Sequence, residues 1–267
     1  MQRRTLWWTR AFVAFGLVLQ PLAAGADPGS VCDASRPFAY VDDLSGFVSP
    51  CALAPGKIGI DAVYLQNASS VGGTALAAFP MVRLRGGIMP RVELLVDAPA
   101  QIAESKPGGG GNWPITHAGY GIDYTFLQTR RMAIALQSEV LPPGTPWVPS
   151  QSQPKYQLGL ASDVQLTSRL AVGVTATGRS SGAVGFQRVL PGLGIRTAFD
   201  ASPAMQIVTD LGTRITDRHL VAQSIGDIAV NERLTKHMNF NVGLGTSFNA
   251  VGNAKVHYLA SGMSYRY

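Results

Sequence analysis

The 267-residue chain carries 22 Lys and Arg against 16 Asp and Glu, a formal net charge of +6, but no block of basic residues that would track phosphates, which argues against nucleic-acid binding. Two cysteines and four scattered histidines do not supply a clustered ligand set, so neither a metal nor a cofactor is expected. No stretch beyond the N-terminal region is apolar for long enough to be a membrane helix, and helical spacing of apolar residues is hard to find.

The first element is a leader. Arg3, Arg4 and Arg10 precede the short apolar run from Ala11 to Leu19, and Ala24-Gly25-Ala26 has the small-residue spacing of a signal peptidase site. Cleavage after Ala26 is expected, because a retained anchor needs roughly 20 apolar residues. The sequence before Cys32, Gly29-Ser30-Val31, does not resemble a lipobox. Loss of three arginines leaves 19 basic against 16 acidic residues, a net charge of +3.

Residues 27–56 precede the strong strand patterns and contain both cysteines, Cys32 and Cys51. An exported chain favours pairing them across a short loop; left unpaired they would be two structural thiols. Phe38, Tyr40, Leu44 and Phe47 need burial, so the segment is expected to be a disulfide-closed periplasmic cap or a plug within the domain at 57–267.

From residue 57 onward the side chains alternate. Tyr120, Ile122, Tyr124 and Phe126 oppose Gly119, Gly121, Asp123 and Thr125; Met132, Ile134 and Leu136 oppose Arg131, Ala133, Ala135, Gln137 and Glu139. Twelve strands are predicted, near 57–66, 75–86, 90–98, 115–127, 131–141, 155–166, 169–179, 186–199, 204–214, 220–230, 236–247 and 255–267. Short links follow the even-numbered strands, as at 128–130 and 167–168. Long Gly- and Pro-rich links follow the third and fifth, at 99–114 and 142–154. That alternation, with an even count, predicts an all-β antiparallel transmembrane barrel with both termini periplasmic. Trp113 and Trp147 fall in the long, external links.

The face opposite the apolar one holds Arg83, Arg85, Glu93, Asp123, Arg131, Glu139, Asp163, Arg188, Arg196, Asp210, Arg214 and Asp227. On a soluble sandwich these would be a solvated exterior; in a barrel they line the interior and pair across neighbouring strands. Arg83, Arg85, Glu93, Asp123, Glu139, Arg196, Asp210 and Arg214 are the lumen-lining candidates. Phe126, Phe199, Tyr265 and Tyr267 are the last outward residues of descending strands and are expected in one interfacial girdle. The chain stops on Ser-Gly-Met-Ser-Tyr-Arg-Tyr, and this leader with a terminal aromatic strand favours the barrel over the sandwich.

Two motifs suggest chemistry and lack its context. Gly178-Arg179-Ser180-Ser181-Gly182 fits the G-x-S-x-G string, but a strand rather than a helix follows, which places Ser180 in a loop. His117, His219, His237 and His257 lie on separate strands, and no His-x-Ser pair occurs, so rim or lumen positions are the expectation. Gly108 to Gly111 lack the Lys-Ser or Lys-Thr of a phosphate loop.

Arg85-Gly86-Gly87-Ile88-Met89-Pro90-Arg91-Val92-Glu93-Leu94 reads as an inward Arg ending one strand, a Gly and Pro turn, and an inward Glu93 opening the next within ion-pair reach. This hairpin resembles the one in the outer-membrane family labelled putative MetA-pathway of phenol degradation. Arg85, Gly87, Arg91, Glu93 and Leu94 match, while Gly86 stands where that family has an aromatic. Gly226 to Val230, Asn239 to Phe248 and the terminal strand resemble its closing hairpin. The resemblance implies an outer-membrane barrel linked with uptake of aromatic or hydrophobic compounds, and it supplies no catalytic residues. Its terminal aromatic strand resembles the signal read by the barrel assembly machinery, which, with outer-membrane lipids and a small-molecule substrate, completes the expected partners. The functional expectation is passive diffusion of small, hydrophobic or aromatic molecules. The alternatives are a lipid-modifying enzyme on the barrel wall, or a sealed structural barrel.

Overall fold

The computed structural model describes residues 31–32, 49–69, 75–98, 101–105, 111–114, 118–141, 155–180, 189–215, 222–248 and 256–267. Within them lie β1 (Ile58–Ser69), β2 (Ala75–Met89), β3 (Val92–Ala98), β4 (Gln101–Ser105), β5 (Gly111–Pro114), β6 (Gly119–Gln128) and β7 (Met132–Leu141). The second half adds β8 (Lys155–Gln165), β9 (Leu170–Ser180), β10 (Val189–Asp200), β11 (Met205–Ile215), β12 (Ala222–Arg233), β13 (Met238–Phe248) and β14 (Val256–Arg266). All pairings are antiparallel, and β1 bonds both β2 and β14, so twelve strands, all but β4 and β5, close on themselves. Closure gives every strand two partners, which a wall surrounded by lipid requires. Apart from β3 these strands run 10 to 15 residues, enough for a tilted crossing of about 9–11.

The two-residue period sorts the faces. Ala133, Ala135, Ala161, Ala171, Ala198 and Ala260 are buried inside, while Leu158, Leu193, Ile195, Leu211 and Leu244 are more than half exposed outside. Leaving such side chains outward would be costly in water and is favourable against lipid tails. Phe126, Phe199, Tyr265 and Tyr267 are all exposed and stand at the short-turn ends of β6, β10 and β14.

Four of the short turns share one device. Thr129 Oγ accepts the N–H of Met132 at 3.0 Å, Thr167 Oγ that of Leu170 at 3.0 Å, and Ser202 Oγ that of Met205 at 3.0 Å; Thr235 Oγ accepts the N–H of His237 at 3.2 Å. A hydroxyl that satisfies turn amides lets each strand reverse within a few residues.

Four expectations change. The link at 99–114 contains β4 and β5: Val82 pairs with Ala98 and Phe79 with Gln101, so the ladder along β2 continues outward past the end of β3. Trp113 therefore belongs to a strand rather than to a loop. Arg131, assigned to the inner face, is exposed in the turn between β6 and β7, because β7 begins only at Met132. Gly86 and Gly87 do not form the turn of the Arg85 to Leu94 hairpin; β2 runs on to Met89 and the chain reverses at Pro90-Arg91, with Arg91 at φ 67°. Ser180 ends β9 rather than lying in a loop. Trp147, Arg188, His117, His219 and most of residues 27–48 lie outside the described residues.

Candidate functional site

Alternation puts polar side chains on the inner wall, and register decides which meet. Asp97 lies directly opposite Arg83, whose Nε and Nη2 donate to its carboxylate at 2.6 and 2.9 Å. The same guanidinium reaches Glu139 on β7 at 3.6 Å. One turn of the pleat lower, Arg85 and Glu93 are both fully buried and paired: Nε donates to Oε1 and Nη2 to Oε2 at 3.2 Å. Across the closing seam Arg266 approaches Asp61 at 3.6 Å. Glu93 also stands opposite Asp123, another buried carboxylate that has interactions of its own. Buried ions of this kind persist only when paired and hydrogen-bonded.

The other side of the lumen is organised as a single cross-strand row. Asp163, Gly173, Arg196, Asp210, Asp227, Gly245 and Tyr258 are successive register partners from β8 to β14. Arg196 donates to Asp210 at 3.2 Å. The two glycines are gaps that neighbours fill. A Cβ at Gly173 would lie 3.3 Å from Asp163 Cγ and closer to its Oδ1, and one at Gly245 would clash with Cζ, Cε1 and the hydroxyl of Tyr258. Tyr258 thereby reaches across β13 and donates its O–H to Asp227. Thus a missing side chain on one strand permits a hydrogen bond between its two neighbours, an arrangement that pins register.

The third component enters from the N-terminal side. Cys32 and Cys51 are disulfide-bonded with Cα atoms 5.3 Å apart, and both are buried. Val31 N–H donates to Arg130 O at 3.1 Å, tying one end of the closed loop to the turn between β6 and β7. The other end meets the Arg85 hairpin: Leu53 N–H donates to Glu93 Oε2 at 2.7 Å, and Ala52 N–H donates to Thr125 Oγ at 3.1 Å. Thr125 in turn donates to Pro50 O at 2.8 Å. Gly87 makes room for this approach. A Cβ there would lie 2.6 Å from Leu53 O and closer still to Ala54 O. Gly87 matches the family-like hairpin because backbone passes over its Cα, not because a turn needs it.

Of the eight lumen candidates, Arg83, Arg85, Glu93, Asp123, Glu139, Arg196 and Asp210 stand on the inner wall in two groups. Arg214 has inward register in β11 opposite Gly192 and Gln223, and its side chain lies outside the described residues. The candidate list missed Asp61 and Asp97, which alternation with Gly59 and Leu95 would have found, and the partnership of Tyr258 with Asp227. Nothing local signals that Thr125 and Glu93 receive residues 50–53. Ser180 Oγ accepts the N–H of Tyr156 at 2.8 Å, and β9 is separated from the strand of His257 by four strands.

No family model matches the chain, and no curated protein does. Among solved structures it is similar to the COG4313 outer membrane channel from Pseudomonas putida F1, at 14% identity over 85% of this chain and 100% of that one, with a TM-score of 0.60. It is also similar to the NanC porin (8% identity, 76% and 98% covered, TM-score 0.52). A third likeness is to the β domain of the Bordetella autotransporter Brka (12%, 79% and 98%, 0.51). At such identities the shared property is the fold of outer-membrane barrels, and function must be argued from the site.

Proposed function

We propose that the chain is a bacterial outer-membrane channel for passive uptake of small, hydrophobic or aromatic molecules, with residues 27–56 closing its periplasmic mouth. The observation that carries this reading is the inversion of polarity. The inside is lined by Arg85, Glu93, Asp123, Arg196 and Asp210, and the outside by large apolar side chains. A closed sheet built to be filled would bury the apolar set instead. By the rule that short turns face the periplasm, the start of β1 and the end of β14 lie on that side. Solutes pass down their gradient between the two charged groups of the wall, whose ion pairs fix its width.

The N-terminal segment is the gate in this reading. Its described residues are held by hydrogen bonds to Glu93, Thr125 and Arg130 and by packing of Val31, Cys32 and Cys51 against Ala133, Ala171, Ala198 and Val208. The engagement of Ser180 by a backbone amide favours no enzymatic alternative. As in the resemblance, the terminal strand with Tyr265 and Tyr267 is the part addressed by the assembly machinery.

Single-channel conductance in planar bilayers, comparing the full chain with a variant lacking residues 27–56, tests the proposal. Small, infrequent openings are expected from the first and larger, sustained ones from the second. Absence of conductance from both would leave a sealed structural barrel.

A further inference from the structure

The barrel sorts its charges by sign as well as by face. Among the described side chains the acidic ones turn inward: Glu93, Asp123, Asp163 and Asp210 are buried, and Glu232 alone is exposed. The exposed Lys and Arg side chains are Lys57, Arg130, Arg131, Arg169 and Lys236, and all five stand on one rim. Lys57 precedes β1, Arg130 and Arg131 lie in the turn from β6 to β7, Arg169 in that from β8 to β9, and Lys236 in that from β12 to β13. Closure spreads these four stations round the circumference. None of the five makes an ion pair among the described residues.

Apolar neighbours set the depth of each station. Ile58, Leu166 and Leu234, beside Lys57 or in the same turns as Arg169 and Lys236, are at least half exposed. Aromatics of the girdle stand next to them. Phe199 pairs with Leu170, the residue after Arg169; the Tyr265 ring lies 6.2 Å from that of His237; Tyr267 exchanges backbone hydrogen bonds with Ile58. Side chains of this kind favour the boundary of acyl chains and headgroups, so the adjoining cations lie where their stems run along the apolar belt and their charges meet phosphate.

We propose that this rim binds anionic phospholipids, each basic station holding a headgroup phosphate of the surrounding leaflet. An acidic soluble partner would be met by one contiguous basic face, whereas a ring spread over the whole circumference matches a partner that encircles the barrel. Arg130, Arg131 and Arg169 offer forked donors to phosphate oxygens, and Lys57 and Lys236 offer point charges. The acids do not oppose this, because nearly all the described ones are inside the wall. The inference is independent of conduction and takes from the channel reading only that the leaflet is the periplasmic one.

Spin-labelled phosphatidylglycerol and phosphatidylcholine, each added in trace to phosphatidylcholine vesicles holding the full-length barrel, test it. Electron spin resonance reports how strongly each lipid is held against the wall. One basic side chain at a lipid surface is worth about fivefold in association, and averaging with the opposite rim leaves a preference of about threefold for phosphatidylglycerol. That preference should approach unity at about 0.5 M NaCl, where charges are screened within a few ångströms. It should also approach unity when Lys57→Gln, Arg130→Gln, Arg131→Gln, Arg169→Gln and Lys236→Gln are combined, and persist when the three arginines are replaced by lysine. Every variant is checked for the heat-dependent electrophoretic mobility of a folded barrel; should the combined variant not fold, Arg130→Gln with Arg131→Gln is expected to lower the preference in part. Equal association of the two lipids with the unaltered barrel, or a preference that survives neutralisation, overturns the inference. Binding to peptidoglycan sacculi that is lost on neutralisation, with no lipid preference, would give the rim to the cell wall instead. A lipid preference together with silent bilayers would uphold the rim and remove the channel.

Discussion

Replacing Gly87 by Ala perturbs the approach of residues 53–54 to β2 at one atom. The added Cβ would sit 2.6 Å from Leu53 O and 2.7 Å from Ala54 C, with Ala54 O nearer still. All three are backbone atoms, so no side-chain rotation relieves the contact and the segment must retreat by about 1 Å to reach ordinary van der Waals separation. A retreat of that size removes the 2.7 Å bond from Leu53 N–H to Glu93 and strains the 2.8 Å bond from Gly56 N–H to Gly87 O. Loss of one hydrogen bond to a charged acceptor is worth about 2 kcal/mol, roughly a thirtyfold rise in the released fraction. Gly86→Ala is the matched control, since a Cβ at Gly86 meets nothing within 4 Å. Open probability in bilayers and the rate of Cys32–Cys51 reduction should both rise for the first substitution and not for the second. Unchanged rates in a Gly87→Ala protein that keeps its barrel mobility would falsify the claim that the Gly87 approach holds the segment.

Three further outcomes follow from the wall and the terminal strand. Gly245→Ala should lower barrel stability by about 1–3 kcal/mol, measured by thermal unfolding in detergent, because Tyr258 must leave its position over β13; the loss should shrink when Tyr258→Ala is already present, and additive effects would count against the interlock. Glu93→Leu strands the buried Arg85 charge and should cost about 3–5 kcal/mol, whereas Arg85→Met with Glu93→Leu should recover most of it by the same assay; equal losses would show that the pair does not act as a unit. Deleting Tyr267, 73% exposed beside the end of β14, should reduce the amount of heat-modifiable barrel in membranes more than it reduces conductance per molecule, and normal membrane levels would contradict that.

The alternation of small or charged residues with large apolar ones fixed nearly every barrel strand, because a pleat exposes successive side chains to opposite faces and each strand carries that record locally. Ser and Thr at the short turns were readable in the same local way. The inner position of Arg85 and Glu93 was legible too, since both lie within ten residues of one hairpin. Errors arose where the signal was ambiguous: two glycines suggested a turn at 86–87, although the reversal takes place at Pro90-Arg91 and Gly87 serves a contact with residues more than thirty positions away.

Alternation says which residues share a face and leaves open which face is inside and which strands meet. Those depend on closure, in which β1 bonds β14 across nearly the whole chain and fixes the register that sets Arg196, Asp210 and Asp227 in one row with Tyr258. The docking of residues 50–53 on Glu93 and Thr125 is likewise tertiary. Its donors are backbone amides, which carry no mark of residue type, so the sequence marks the strands of this protein plainly while the contact of residues 50–53 with Glu93 and Thr125 exists only once the barrel has brought the partners together.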